Sequence, residues 1–192
     1  PPINISFRPD LTGTKSELED FYGSLGEIYK DTVDIIMCES MSSIFEGRNA
    51  SRVAKEFSER VWLSWTNRGH QPDQLPSTEA LSKAVDFSIE ADVECTLINC
   101  SHADMASNSI KELKRASRFG IFANSSTFKE VDLSVATKDV DAIHHLNSEE
   151  ISAKEYAMIA LSWAKEGAFV VGGCCGTTVE HTREIKLLID SL

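Results

Sequence analysis

The sequence predicts an α/β protein built on a parallel sheet. Short apolar, β-branched segments alternate with longer amphipathic segments, and this β-then-α unit occurs six times along the chain. Strands joined by helices of this length need crossover connections, which link parallel strands. No pair of strand segments carries the turn signal of an antiparallel hairpin. Two architectures fit the pattern: an open doubly wound sheet, or a (β/α)8 barrel that lacks its first one or two βα units.

The strand segments are recognised by their continuous apolar or β-branched composition. The sequence VDIIMC at 33–38 is typical of a strand that is buried in a parallel sheet. The predicted strands are 3–7, 33–38, 61–65, 95–99, 120–124 and 169–171. Neither a glycine-rich dinucleotide fingerprint nor a phosphate loop follows any of them, which removes the usual chemical reason to choose the open sheet.

The helical segments carry apolar residues at a spacing of three or four. In the first of them, Leu18, Phe21, Leu25 and Ile28 follow this spacing. The predicted helices are 15–30, 42–59, 79–91, 106–117, 152–167 and 178–191, with Ser77 as a candidate N-cap and Gly167 as a C-terminal glycine. Residues 125–146 are predicted to be irregular, and residues 1–192 to form a single domain.

Composition and charge exclude several classes of partner. The formal net charge of −11 and the scattered arginines disfavour nucleic acids, which need a basic face. No apolar run reaches the roughly 18 residues of a membrane span. With no signal peptide at the start, we expect a cytoplasmic protein. Its five cysteines are an odd number at uneven spacing, which favours reduced thiols over a disulfide framework.

Three cysteines lie where a parallel sheet places its chemistry. Cys174 and Cys175 follow the strand 169–171 in the sequence GGCCGTT, and Cys100 follows the strand 95–99. Because parallel strands end on the same side of a sheet, the three thiols can converge there. Three cysteines with an open fourth position are typical of catalytic zinc.

The alternative is that these cysteines are small buried residues, as free cysteines often are. The adjacent pair between glycines, with a third cysteine at another strand end, favours the metal site. Cys38 and Cys95 lie inside apolar runs, and we interpret them as core residues.

Three further residues at strand ends are candidates for substrate binding. Glu39 follows the apolar run VDIIMC, where a carboxylate needs a partner such as a substrate ammonium group. A solvated first-turn helix carboxylate is the other interpretation. Asn99 and Asn124 can hydrogen-bond a substrate carboxylate or orient the thiolates, or they can be ordinary turn residues.

These motifs resemble the homocysteine S-methyltransferase family. The resemblance is carried by Asn99-Cys100, by the sequence GGCCGTT at 172–178 followed by Glu180-His181, by DIIMCES at 34–40 and by FANS at 122–125. It runs over nearly the whole chain with the motifs in order. The family's opening Asp-Gly-Gly strand has no counterpart here, so the chain is expected to start near the third strand of the barrel.

The resemblance implies a (β/α)8 barrel in which Cys100, Cys174 and Cys175 hold Zn²⁺ and Glu39 binds the homocysteine ammonium group. The implied reaction transfers a methyl group from a cationic donor, with S-methylmethionine or S-adenosylmethionine favoured, to the homocysteine thiol. Two other functions stay open: a divergent barrel that binds zinc and a thiol without catalysis, and a redox-active α/β protein that uses Cys174 and Cys175. We expect small-molecule partners and a monomer, with a dimer as the alternative.

Overall fold

The centre of the fold is a five-stranded parallel sheet. The computed structural model describes residues 1–4, 6–69, 71–128 and 148–191. The strands of the sheet are β1 (Ile36–Met41), β2 (Val61–Trp65), β3 (Cys95–His102), β4 (Phe119–Asn124) and β7 (Val170–Gly173), and they lie side by side in this order. All four neighbouring pairs are parallel. The predicted α/β fold with a parallel sheet is therefore confirmed.

Helices precede, connect and follow these strands along the chain. They are α1 (Lys15–Tyr29), α2 (Ile44–Ala54), α3 (Leu81–Glu90), α4 (Ala103–Asn108), α5 (Ile110–Leu113), α6 (Ala153–Lys165) and α7 (Val179–Ile189). The single predicted helix at 106–117 is thus two short helices. Gly167 follows α6 with a φ of 96°, as predicted for a C-terminal glycine, whereas α3 has Ala80 rather than Ser77 as its N-cap.

One face of the sheet packs against the helices. Trp65 is fully buried, and its indole nitrogen donates a 3.0 Å hydrogen bond to Ser88 Oγ of α3. Residues in register with Trp65, namely Ile98 and Ile121, belong to the same buried core. The residues directly before and after these three in each strand therefore point to the opposite face of the sheet, because side chains alternate along a strand. The five strands lie in chain order, whereas a doubly wound sheet reverses its order.

The predicted first strand is wrong. Residues 3, 4, 6 and 7 form bends and turns, and a short 3₁₀-helix (Pro9–Leu11) follows. Phe7 has a φ of 65°, a left-handed conformation that cannot continue a strand.

An antiparallel pair of strands is present that the sequence did not predict. β5 (Ser126–Phe128) and β6 (Ser148–Glu150) pair with each other in antiparallel register. Residues 126–128, predicted to be irregular, are therefore a strand, whereas 129–146 of that prediction lie outside the described residues. The turn signals that would mark a hairpin are absent because the two strands are far apart in the chain.

No helix of the described residues combines the length and the apolar composition that a membrane-spanning helix needs.

Candidate metal centre

The three predicted cysteines meet at the carboxyl edge of the sheet. Cys100 lies within β3, two residues before the strand ends, rather than after it, and Cys174 and Cys175 directly follow β7. Their sulfur atoms all lie within 4.8 Å of one another. The sequence prediction that these residues converge is therefore confirmed, although 74 positions separate Cys100 from Cys174.

Two of the three sulfurs are joined to each other in the structure. Cys100 and Cys174 form a disulfide with their Cα atoms 5.5 Å apart, and the third cysteine, Cys175, is exposed with a free thiol. The Sγ atoms of Cys100 and Cys175 lie 3.9 Å apart. Metal binding would need all three as thiolates, so the disulfide and a metal ion are alternative states of the same site.

This set of donor atoms fits a metal that prefers sulfur. Zinc–sulfur bonds of about 2.3 Å in a tetrahedral arrangement place two ligand sulfurs about 3.8 Å apart. The 3.9 Å between Cys100 and Cys175 is close to that separation. The cluster can therefore hold a metal ion, and the exposed side of Cys175 leaves room for a further ligand from solution.

The end of β4 positions the adjacent cysteines. The backbone N–H of Cys174 donates to the carbonyl of Ala123 at 2.8 Å, and the N–H of Ser125 donates to the carbonyl of Cys175 at 3.0 Å. Between these two bonds, the N–H of Cys175 donates to Asn124 Oδ1 at 3.1 Å. The turn is thus held at both of its cysteines by three consecutive residues of one neighbouring segment.

The glycines around the cysteine pair are required for space. A Cβ atom on Gly173 would lie 2.4 Å from Thr177 Oγ1, which in turn donates to the carbonyl of Cys174 at 2.7 Å. Gly176 has a φ of 76°, the left-handed conformation that favours glycine, and a Cβ there would meet Ser125 Oγ at 2.5 Å. The glycines thus let the turn approach both its own threonine and the end of β4.

Asn99 is the centre of a buried polar network beneath Cys100. Its Oδ1 accepts hydrogen bonds from the backbone N–H of Ser40 at 2.9 Å and from Ser64 Oγ at 2.6 Å. Its Nδ2 donates to Ser40 Oγ at 2.8 Å. Asn99 is 1% exposed, so these contacts show a residue that ties β1, β2 and β3 together. Direct contact between Asn99 and a substrate stays a prediction.

Two strand ends next to this network have unusual backbone geometry. Ser40 and Cys100 have φ values of 59° and 50°, in the left-handed region that residues with a Cβ atom rarely adopt. Both lie where the regular register of the strand is interrupted, between Cys38 and Met41 in β1 and between Asn99 and His102 in β3. The interruptions change the direction of the chain at Ser40, which is bonded to Asn99, and at Cys100, which follows Asn99 in the chain.

Glu39 lies within β1 rather than after it, since the strand continues to Met41. Its side chain is exposed at the same carboxyl edge as the cysteines. Its backbone neighbour Ser40 is fixed by Asn99. Glu39 is therefore available to a ligand from solution, and its role in binding an ammonium group stays a prediction, as does the role of Asn124 in substrate binding.

The other two cysteines belong to the core, as predicted. Cys38 and Cys95 are buried, and burial raises the pKa of each thiol to about 12. A thiol that stays protonated near neutral pH is a poor nucleophile, which agrees with the assignment of both cysteines to the core.

The sequence prediction missed Ser40 and Ser64 as parts of the site. Ser64 is the one hydroxyl residue of the strand Val61–Trp65, whose other members are all apolar. A hydroxyl group at such a position needs a buried partner. That signal alone indicates a polar contact inside the sheet, but it does not identify the partner.

Comparison with known protein families gives a match over most of the chain. A family model described as homocysteine S-methyltransferase matches residues 3–189. A curated relative, homocysteine S-methyltransferase YbgG of Bacillus subtilis strain 168, is 24% identical over 190 residues. This alignment covers 97% of the chain and 56% of the relative, so the chain spans about half the length of the relative.

Solved structures share the fold. The metallated form of the homocysteine methyltransferase MmuM from Escherichia coli has a TM-score of 0.69 at 19% identity, over 94% of this chain and 54% of that one. The oxidized form of the same protein has a TM-score of 0.59 at 17% identity, over 96% of this chain and 53% of that one. At these identities the structures support the fold alone.

The network around Asn99 leads to a prediction about stability. Asn99→Asp replaces a donor with a carboxylate at a buried position, so we expect the free energy of unfolding at pH 7 to fall by at least about 2 kcal/mol. Burial raises the folded-state pKa of such a carboxyl above its unfolded value of about 3.9. The loss of stability is therefore complete above the folded-state pKa. It narrows as the pH falls from the folded-state pKa toward the unfolded value.

Urea denaturation between pH 4 and pH 7 measures the difference in unfolding free energy between Asn99→Asp and the wild type. Asn108→Asp, at an exposed position in α4, is the matched control and should change the unfolding free energy by less than about 0.5 kcal/mol. An Asn99→Asp protein as stable as the wild type at pH 7 would contradict the proposed contacts.

Proposed function

The chain belongs to the homocysteine S-methyltransferase family, and from this membership we propose that it transfers a methyl group to the thiol of homocysteine, giving methionine. The observation that carries the proposal is the meeting of Cys100, Cys174 and Cys175 at the carboxyl edge of the sheet. Residues 1–192 would act as one unit in this reaction.

We further propose that the five parallel strands are an arc of a (β/α)8 barrel. Strand order equal to chain order supports this arrangement. The face opposite the helices also supports it, because Met37, Trp62 and Phe122 lie there only half-buried. Half-buried apolar side chains of this kind are typical of a barrel interior that is completed by further strands.

The metal in this proposal is Zn²⁺, held by the thiolates of Cys100, Cys174 and Cys175. When bound, zinc would act as a Lewis acid that lowers the pKa of a thiol substrate well below its free value of about 8.5. Asn124 and the end of β4 hold the two adjacent cysteines in place for this role. The open side of the cluster at Cys175 is where we place the homocysteine sulfur.

The amino group of homocysteine would pair with the exposed carboxylate of Glu39. In the reaction, the sulfur of homocysteine forms a bond to the methyl carbon as the bond between that carbon and the donor breaks, and the thiol proton passes to solvent. The net charge of −11 attracts cationic donors, which favours S-methylmethionine or S-adenosylmethionine.

Metal dependence provides a test of the activity. The reduced chain, loaded with zinc, should convert homocysteine to methionine with a sulfonium donor, and a chelator should abolish the conversion. Cys100→Ser should lower both zinc content and the rate by at least about 100-fold, because it removes a ligand. Cys95→Ala, which changes a buried cysteine away from the cluster, is the control and should retain zinc.

Two results would contradict the proposal. One is methionine formation that continues unchanged after zinc has been removed. The other is a reduced protein that binds no zinc and instead cycles between thiol and disulfide with an electron acceptor, as expected of a redox protein.

Substrate binding at Glu39 leads to a second prediction. Glu39→Gln removes the charge that would pair with the substrate ammonium group, so the KM for homocysteine should rise by about tenfold or more. The zinc content should stay at the wild-type level because Glu39 is not a ligand in this account. Steady-state kinetics and metal analysis together measure both quantities.

Glu59→Gln is the matched control, since Glu59 is an exposed carboxylate that precedes β2 at the opposite edge of the sheet. Its KM should equal that of the wild type. The assignment fails if Glu39→Gln and Glu59→Gln give the same KM.

A further inference from the structure

A buried tyrosine lies directly behind the cysteine pair. Tyr156 of α6 is fully buried, and its hydroxyl lies 2.7 Å from the carbonyl oxygen of Ala123 and 2.8 Å from that of Gly172. Burial raises the pKa of Tyr156, so the hydroxyl stays protonated and remains a donor. A single hydroxyl proton thus bridges the ends of the two strands that carry the turn, β4 and β7.

The same carbonyl connects Tyr156 to the metal-binding turn. Ala123 accepts a hydrogen bond from the backbone N–H of Cys174 at 2.8 Å as well as from the tyrosine. Gly172 lies two residues before Cys174 in the chain. The tyrosine therefore holds both β7, which leads into Cys174, and the neighbouring strand β4, to which Cys174 is bonded.

His181 holds the other end of the turn. In the first turn of α7, its Nδ1 accepts from the backbone N–H of Thr178 at 3.1 Å and lies 3.0 Å from Thr178 Oγ1. Because the backbone N–H can only donate, Nδ1 is the acceptor in this contact, and Nε2 is the ring nitrogen that carries hydrogen. The imidazole meets the ring of Tyr156 edge to face, with the centroids 5.7 Å apart.

A histidine is an unusual choice for this position in the chain. The capping boxes of α1 and α6 have glutamates, Glu17 and Glu155, at the third helical position, and Glu and Gln are the usual residues there. His181 fills the same position in α7 but is buried, and its Nε2 has no hydrogen-bond partner among the described residues. Leaving this nitrogen without a partner costs free energy. The imidazole, unlike a glutamate side chain, makes an aromatic contact with Tyr156.

We propose that Tyr156 and His181 are positioning residues that fix the turn of Cys174 and Cys175 in the arrangement that the metal requires. The proposal rests on the proposed function, since it concerns the same metal site. Both residues act through the backbone around the turn. Tyr156 holds the strand ends from which the turn begins, and His181 holds its exit into α7.

Two substitutions at His181 separate the cap from general packing. His181→Gln supplies an acceptor for the N–H of Thr178, whereas His181→Leu does not. Tyr156→Phe removes only the bridging hydroxyl. Tyr22→Phe is the matched control, because Tyr22 is a buried tyrosine of α1 whose hydroxyl has no hydrogen-bond partner among the described residues.

Zinc affinity is measured on the reduced chain by competition with a chromophoric chelator. Tyr156→Phe and His181→Leu should each weaken zinc binding at least about tenfold, as is usual when a group that supports a metal ligand is removed. His181→Gln should bind zinc more tightly than His181→Leu. Tyr22→Phe should bind zinc like the wild type.

Amide hydrogen exchange of the reduced, metal-free chain is the second readout. Tyr156→Phe should speed exchange at Cys174 and Cys175 while leaving the amides of β2 unchanged. The proposal is overturned if Tyr156→Phe keeps zinc affinity within twofold of the wild type, or if its exchange rises equally in β2. A wild-type chain that binds no zinc would refute the proposed function, and the exchange at Cys174 would still decide the positioning role.

Discussion

The site depends on the end of β4, which lies between the two strands that carry the cysteines. Cys100 on β3 and Cys174 after β7 are not on neighbouring strands, yet their Cα atoms lie 5.5 Å apart, so the chain must close over the end of β4 to bring them together. The carbonyl of Ala123, the side chain of Asn124 and the N–H of Ser125 each bond the turn of Cys174 and Cys175. Residues from one strand end thus determine where two of three ligands lie, which is how a rigid sheet can preorganise a metal site.

On the side of β1 and β3, the cysteine cluster is supported by the hydrogen bonds of Asn99. Ser40 and Cys100 adopt left-handed backbone conformations, each of which costs about 1 kcal/mol or more. Two hydrogen bonds of Asn99 hold Ser40 and offset part of that cost there, and Asn99 lies one residue before Cys100. The strain is located next to Glu39 in β1 and at the first ligand, Cys100, in β3. The proposed ammonium anchor and the proposed metal ligand are thereby each adjacent in the chain to a member of one buried network, Glu39 to Ser40 and Cys100 to Asn99.

Much of this arrangement could be predicted from the sequence. The convergence of the cysteines followed from their positions after buried strands, and Cys38 and Cys95 were correctly assigned to the core because they lie inside apolar runs. The contacts of Asn99 with Ser40 and Ser64 could not be predicted, because strand register is set by packing between distant segments. The strand predicted at 3–7 failed for a related reason. Alternating apolar residues indicate a strand only when a partner strand is available, and Phe7 instead turns the chain.

The central claim is that three thiolates hold one zinc ion and leave a position for the homocysteine sulfur. Zinc K-edge X-ray absorption of the reduced, zinc-loaded chain tests it most directly, since the spectrum counts the sulfur ligands and gives their distance. The account predicts three sulfurs at about 2.3 Å with one lighter ligand, and four sulfurs after homocysteine is added. Fewer than three sulfurs in the loaded chain, or a sulfur count that homocysteine does not change, would contradict it.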